Sequence, residues 1–420
     1  MSVADIDALL LDFLAAQRAP QVDFLRELVR VPSDNPPGDC LPHAQRTAAL
    51  LAALDLPVQA HAVPGERVRA CGMESVTNLL VRLPFGSGGP TVALNAHGDV
   101  VPPGLGWRTD PYGGQVEDDP RHGPVMYGRG VAVSKSDFAT YVWALLALRE
   151  AARLGAPLNG TVELHLTYDE EAGGELGPAW LLEQGLSRPD YAISAGFSYA
   201  VTTAHNGCLH AEITVRGSQA HAAMPHTGVD ALEAATAMLQ ALYAHRDELA
   251  RRRSAVPGIE SPTLTVGLIR GGINTNVVPD LVTLRVDRRI IPEEAGDDVE
   301  GQLRAVVQAA VGGRPGITVD VRRIMRAEPL VRLPGAGRLV DALRRHARRI
   351  FAADIPEHGV PLYTDARHYA SRGIPTVLYG AGPRTLMEAR GHNSDENLRL
   401  ADLHRATQVV ALTLAELLRG

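Results

Sequence analysis

Apolar residues recur at helical spacing between positions 5 and 30 (Ile6, Leu9, Leu10, Phe13, then Phe24, Leu25, Leu28, Val29), which predicts two helical halves broken or kinked at Pro20. The second half stops before Pro32, where Asn35-Pro36-Pro37-Gly38-Asp39 reads as a turn-rich loop. A helix at about 43–54 comes next. The continuous apolar runs at 78–83 and 91–96 predict buried strands. A polar, Gly- and Pro-rich excursion covers 102–125, followed by a long helix at 134–154 and a strand at 161–167. Strands that alternate with helices in this way imply a mainly parallel sheet covered on both faces.

The rhythm changes after about residue 208. Alternation at 210–216, a helix at 230–249, strands at 263–270 and 281–289, a helix at 292–311 and a strand at 317–324 spell β-α-β-β-α-β. That order is the split-βαβ, ferredoxin-like arrangement. From about 327 the first style returns, with a helix at 336–352, a strand at 375–379 and a last helix at 400–418. The expectation is an α/β domain made of residues 1–208 and 327–420, interrupted by a smaller inserted domain at 209–326.

Composition narrows the class. Hydrophobic residues make up 45% and charged residues 21% of 420, ordinary for a folded protein that buries a large core. A net charge of −7 argues against a nucleic-acid or anionic-membrane partner. No apolar run approaches the roughly 18 residues of a membrane span. Asp5 and Asp7 with no basic segment, and Asp12 inside the run from Leu9 to Leu14, do not make a signal peptide. Cys40, Cys71 and Cys208 are few, odd in number and far apart, which suits reduced thiols in a cytoplasmic protein. Lys135 is the single lysine.

Three short runs carry chemistry. His97-Gly98-Asp99 and Asp169-Glu170-Glu171 each follow a predicted strand, and Gly391-His392-Asn393-Ser394-Asp395-Glu396 lies near the C-terminus. Ligands bind beyond the carboxyl ends of strands in open parallel sheets. There a His can ligate a metal while an Asp two residues on orients it or another ligand. Adjacent carboxylates repel, so a Glu-Glu pair makes sense when a cation accepts one and leaves the other as general base. Taken singly, each run has a bland reading: a surface His with a loop-capping Asp, a solvated acidic turn, a loop His. In this order and at these strand ends the combination is specific.

With these runs the sequence resembles the M20 metallopeptidase family of acetylornithine deacetylases, succinyl-diaminopimelate desuccinylases, aminoacylases and carboxypeptidases. The resemblance extends over nearly the whole chain. It includes Val31-Pro32-Ser33-Asp34-Asn35-Pro36-Pro37-Gly38, Tyr127-Gly128-Arg129-Gly130 and Gly373-Ile374-Pro375-Thr376-Val377. In the inserted segment it includes Gly217-Ser218-Gln219-Ala220-His221 and Gly271-Gly272-Ile273-Asn274-Thr275-Asn276. The resemblance implies a catalytic domain carrying a lid domain that dimerises. It implies His97 as a zinc ligand with Asp99 its orienting partner, Glu170 as general base, and Glu171 and His392 as ligands of the other zinc. It also implies His221 as the lid histidine that stabilises an oxyanion, with Asn276 and Arg289 holding a carboxylate-bearing small substrate.

Two positions depart from that family. Its middle motif reads Gly-Arg-Gly-x-x-Asp-x-Lys, with an Asp that bridges two metals; here Val133 stands in the Asp position while Lys135 keeps its own. A further acidic ligand falls on Gly196. Two ions about 3.5–4 Å apart need an anionic bridge, so the expected centre is altered or mononuclear. His97, Glu171 and His392 are the remaining ligands, with about one divalent ion per chain: zinc, or alternatively manganese or cobalt. Asp137 is a candidate replacement one helical turn of ~5.4 Å beyond Val133; His165, Asp169, His205 and Asp365 are others. The expected activity is hydrolysis of a C–N bond by metal-activated water. A binding or partner protein that keeps the fold without catalysis is the alternative, and metal-free hydrolysis a third.

Overall fold

The computed structural model describes residues 1–419. The chain forms two compact units, one of residues 1–203, 332–357 and 364–420, the other of residues 204–331 and 358–363.

The strands in chain order are β1 (Val58–Ala62), β2 (Thr77–Phe85), β3 (Thr91–His97), β4 (Gln115–Asp119), β5 (Gly123–Tyr127), β6 (Gly160–Thr167), β7 (Tyr191–Ser194) and β8 (Val201–His205). They continue as β9 (Gly207–Arg216), β10 (Thr263–Gly271), β11 (Leu281–Ile290), β12 (Thr318–Ala327), β13 (Glu357–Val360), β14 (Thr376–Leu378) and β15 (Asn397–Arg399). The large sheet runs β1-β2-β6-β3-β7-β14-β8-β13.

Its centre, β6-β3-β7-β14, is parallel, with antiparallel β1 and β2 on one flank and β8 on the other. Parallel strands covered on both faces need apolar side chains in both directions. Accordingly Val92, Ala93, Leu94 and Ala96 of β3, and Val162, Leu164 and Leu166 of β6, are all buried. The helix Lys135–Arg153 packs on this sheet and against the C-terminal helix Leu400–Leu418, burying Phe138, Val142, Leu145 and Leu146.

The second unit carries the antiparallel sheet β10-β11-β9-β12, with helices Ala231–Leu249 and Gly296–Val311 between its strands. Its strands alternate, Leu209, Ala211, Ile213 and Val215 pointing into its own core. This is the β-α-β-β-α-β order expected from the sequence.

Three readings change. The first helical break falls at Gln17, between helices Val3–Ala16 and Arg18–Val29, and Pro20 sits in the first turn of the second helix, where its missing N–H has no intrahelical partner to lose. The excursion at 102–125 holds β4 and the start of β5, which form a three-stranded antiparallel sheet with β15. The short strands β1, β8 and β13 carry too few alternating positions to stand out; β1 is Val-Gln-Ala-His-Ala with no fully buried residue.

Candidate metal centre

β3 and β6 are parallel neighbours with His97 opposite Thr167, so the loops that follow leave side by side. Gly98 N–H donates to Thr167 O at 2.8 Å. A methyl on Gly98 would meet Tyr168 Cε1 at 2.5 Å, which is why the His-x-Asp triplet has glycine in its middle. The buried Asp99 carboxylate then accepts the N–H groups of Glu170 (3.2 Å) and Glu171 (3.1 Å) and the Asn35 amide (3.0 Å). Asp99 therefore fastens the acidic turn to the end of β3. His97 Nδ1 lies 2.9 Å from the Asp99 carbonyl oxygen and 3.4 Å from its Oδ1.

The outcome is a cluster of donors. His97, Glu170 and Glu171 offer ligand atoms within 4.8 Å of one another, the only such group of three among the described residues. His97 Nε2 is 3.9 Å from Glu170 Oε2. His392, held at φ +63°, brings Nε2 to 3.2 Å from Glu171 Oε1. That oxygen is buried, and His392 is the donor that faces it. His392 thus joins the group through Glu171, and the expected trio of His97, Glu171 and His392 does not close on a single point within that distance.

Burial pushes the Glu170 carboxyl up to about 8; the His97 charge pulls it back, while Glu171 and Asp99 push further. Burial alone would lower His97, but Glu170, Asp99 and Glu171 outweigh it and raise it well above the usual imidazole range. Hydrogen bonding to Glu171 raises His392. Three carboxylates around one imidazole are a surplus of negative charge that a cation would relieve.

The other side of the centre lacks such groups. Val133 is half-buried, its Cγ2 3.4 Å from where a methyl on Gly391 would lie. A side chain at Gly196 would start 2.9 Å from Tyr379 N and 3.0 Å from Leu378 C and Cβ, so the backbone packing leaves little room for a carboxylate there. Asp137 does not replace either group. Its buried carboxylate accepts Gly196 N–H at 3.2 Å and Ala381 N–H at 2.6 Å, tying two loops together. His165 is spent on Glu163 and Tyr369, and Asp169 accepts Leu176 N–H. His205 faces the carbonyl of Asn206.

Two residues to which the sequence reading gave no role shape this ground. Glu396, fully buried, accepts N–H groups from Gly130, Ala132 and Val133 at 3.0–3.1 Å and pairs with Arg129 at 2.7 Å. It sets the turn on which Val133 stands. Arg367, nearly buried, donates to Gly173 O beside the acidic turn. Both are distant in sequence from what they hold, and no spacing rule points to them.

His221, Asn276 and Arg289 belong to the second unit. Ala222 N–H donates to Asn276 O at 3.0 Å, so the exposed His221 and Asn276 share one pair of loops. Arg289, on β11, pairs through Nε with Asp287 at 3.0 Å and lies over the Tyr363 ring.

A parallel-centred α/β sheet with a His and adjacent carboxylates at its strand ends, joined to a split-βαβ unit, defines a metallohydrolase class. The chain belongs to peptidase family M20/M25/M40, whose profile matches residues 93–416. It is 28% identical over 420 residues to a succinyl-diaminopimelate desuccinylase of Gluconacetobacter diazotrophicus, covering 96% of this chain and 99% of that one. It is 30% identical over 352 residues to an acetylornithine deacetylase of Myxococcus xanthus, covering 83% and 86%. Among solved structures it superposes on a di-peptidase from Saccharomyces cerevisiae with TM-score 0.76 at 13% identity, covering all of both chains. A Bacillus subtilis peptidase of the family described as dinuclear metal binding gives 0.67 at 17% identity, covering 96% and 99%. The chain is a metallohydrolase acting on C–N bonds, and the resemblance read from its motifs is borne out. Among the described residues no helix is long and apolar enough to cross a membrane.

Proposed function

We propose that this chain hydrolyses the amide bond of a small carboxylate-bearing N-acyl compound, such as an N-acyl amino acid or a dipeptide, using one divalent ion per chain. The observation that supports it is the acidic turn fastened by Asp99 beside His97, with His97, Glu170 and Glu171 offering ligand atoms within 4.8 Å of one another and His392 facing Glu171. Glu171 with His97 or His392 would hold the ion; His-carboxylate donor sets suit zinc. When bound, it supplies Lewis acidity toward the carbonyl and makes water more acidic.

Glu170 takes a proton from the attacking water and hands it to the departing amine nitrogen. Asp99 keeps Glu170 and Glu171 in register through their backbone N–H groups. His221 donates to the carbonyl oxygen as charge gathers there. Asn276 and Arg289 hold the substrate, the guanidinium fork matching a carboxylate. Dimerisation would use the outer strand β10, whose Leu268 and Ile269 are about half exposed along an open sheet edge; sedimentation showing only monomer at working concentration would remove that part.

Elemental analysis of the purified protein, before and after loading with zinc, manganese or cobalt, tests the reading. Close to one ion per chain, with amidase activity that follows the ion, is the expected result. Two ions would mean that an oxygen donor outside the group described here takes part. No ion under any loading would move the chain to a binding role, the reading that Val133 and Gly196 favour.

A further inference from the structure

The outer face of the second unit's sheet carries two acidic side chains held by cationic neighbours, and the two differ in one respect. Side chains two apart on a strand share a face. Asp287 and Arg289 of β11 therefore stand together, and the register sets His210 of β9 opposite Asp287 and Glu212 opposite Arg285. Glu212 gives one oxygen to Arg285 Nε at 2.9 Å and the other to Arg322 Nη2 at 2.8 Å. Asp287 gives Oδ1 to Arg289 Nε at 3.0 Å, but its Oδ2 lies 2.9 Å from His210 Nε2. An imidazole thus stands where the other cluster has a second guanidinium. Arg288, between them in sequence, is buried and fully engaged, with Nη2 on Glu294 at 2.6 Å and Nη1 on the Arg289 carbonyl.

How Asp287 divides its oxygens decides what Arg289 can do. A carboxylate left to itself meets a guanidinium with both oxygens at once. Here the Nε–H bond to Asp287 is the one hydrogen bond that the Arg289 guanidinium makes among the described residues, and the Tyr363 ring lies against the group, its centre 5.8 Å from Cζ. Nη1 and Nη2 are left as an open fork with the spacing of a second carboxylate. Burial alone would raise the Asp287 carboxyl; His210 and Arg289 outweigh it and hold it below the usual carboxylate range. Asp287 is therefore an anion that would take a further Arg289 donor if Oδ2 were released. The His210, Asp287 and Arg289 side chains are 31–34% exposed, within reach of a dissolved anion.

We propose that His210 is a positioning residue for Arg289: by engaging Asp287 Oδ2 it keeps both terminal guanidinium nitrogens open to the substrate carboxylate. This rests on the reading above of Arg289 as the group that holds that carboxylate, and it names what sets its selectivity. With Nε taken, the carboxylate enters end-on, one oxygen to each terminal nitrogen. A neutral amide offers a single acceptor there and turns its N–H toward a cation, so the open fork separates acid from amide. Without His210, Asp287 brings Oδ2 onto a terminal nitrogen and closes half of the fork.

Phenylglyoxal, which condenses with both terminal nitrogens of an arginine, reads the fork without substrate; peptide mass spectrometry of the metal-loaded protein follows each site. His210→Ala should slow modification of Arg289 about fivefold, while Arg285, partnered by Glu212, keeps its rate as the internal reference. His210→Gln, whose amide still donates to Asp287, should stay near wild type. Adding Asp287→Asn to His210→Ala should restore the wild-type rate, because one acceptor oxygen cannot span the fork; a loss through general loosening would persist in the double variant. Under turnover, the KM of N-acetyl-L-alanine should rise about tenfold in His210→Ala with kcat held, and that of N-acetyl-L-alaninamide should not move. An unchanged Arg289 rate in His210→Ala, no recovery in the double variant, or an unmoved KM in an enzyme that prefers the acid would overturn the inference. The expected modification pattern without hydrolysis of the acid, or without preference for it over the amide, would leave the fork standing and bring down the substrate reading instead.

Discussion

The two sides of the cleft at the end of β3 are built from the same sheet but to different ends. On the β6 side, Asp99, Glu170, Glu171 and His97 form a dense polar knot in which backbone N–H groups aim two carboxylates at an imidazole. On the other side stand Val133 and Gly196, where the family resemblance implies carboxylates, and the carboxylates nearby, Asp137 and Glu396, are turned onto backbone N–H groups. A buried carboxylate must find donors or a cation. One side leaves a place for the cation; the other has satisfied its carboxylates internally.

The contrast can be broken from either side. Glu170→Gln removes a proton acceptor and keeps the shape, so turnover should fall by about 10²–10⁴ while substrate affinity and metal content hold; steady-state kinetics with calorimetry decides, and a normally active variant would end the assigned role. Glu396→Gln leaves Arg129 charged and buried without its counter-ion. It should cost about 3–5 kcal/mol, measured by denaturant unfolding, and loosen the turn carrying Val133. Gly196→Asp attempts to restore a ligand where the backbone of Leu378 and Tyr379 stands 2.9–3.0 Å from the new Cβ. It should lose about 1–3 kcal/mol by overpacking and gain no second ion; a stable variant with two ions per chain would show that this side can still be equipped.

The smallest effect lies away from the cleft and serves as a control. Burial, with Arg18 nearby, pushes His404 down to about 4, and its Nδ1 lies 2.8 Å from Gln21 Oε1. The unfolded imidazole takes a proton near 6.5 and the folded one resists until about 4. Stability from this residue is therefore complete above about 6.5 and declines as pH falls toward 4. His404→Gln should shrink the difference in Tm between pH 7 and pH 5 without altering metal content. An unchanged difference would show that other groups dominate acid sensitivity.

Much of the ground plan was legible because it follows from short-range pattern. Continuous apolar runs marked β2 and β3, period-two alternation marked β9, and the carboxyl ends of β3 and β6 located His97 and the Glu pair. What escaped depends on contacts far apart in sequence. The nest of N–H groups around Glu396 joins residues more than 260 positions apart. The crowding at Gly196 comes from the chain at 378–379. The sequence left open whether His97 and His392 converge on one ion; that depends on the backbone at His392, which has φ +63° and brings its Nε2 to 3.2 Å from Glu171. Periodicity reports which face is buried; it carries no record of which backbone donors will surround a given carboxylate.

Lys135 is the single lysine of the chain and has no exposed surface; burial pulls it down to about 8, and its Nζ donates to Val31 O at 3.1 Å. The folded surface consequently offers no lysine amine to an acylating reagent. Succinimidyl dyes and amine-directed cross-linkers should find the α-amino group alone, which gives a uniform point of attachment for immobilisation. Acylation of Lys135 itself then becomes a clock: its rate reports how often the catalytic unit opens far enough to release that side chain.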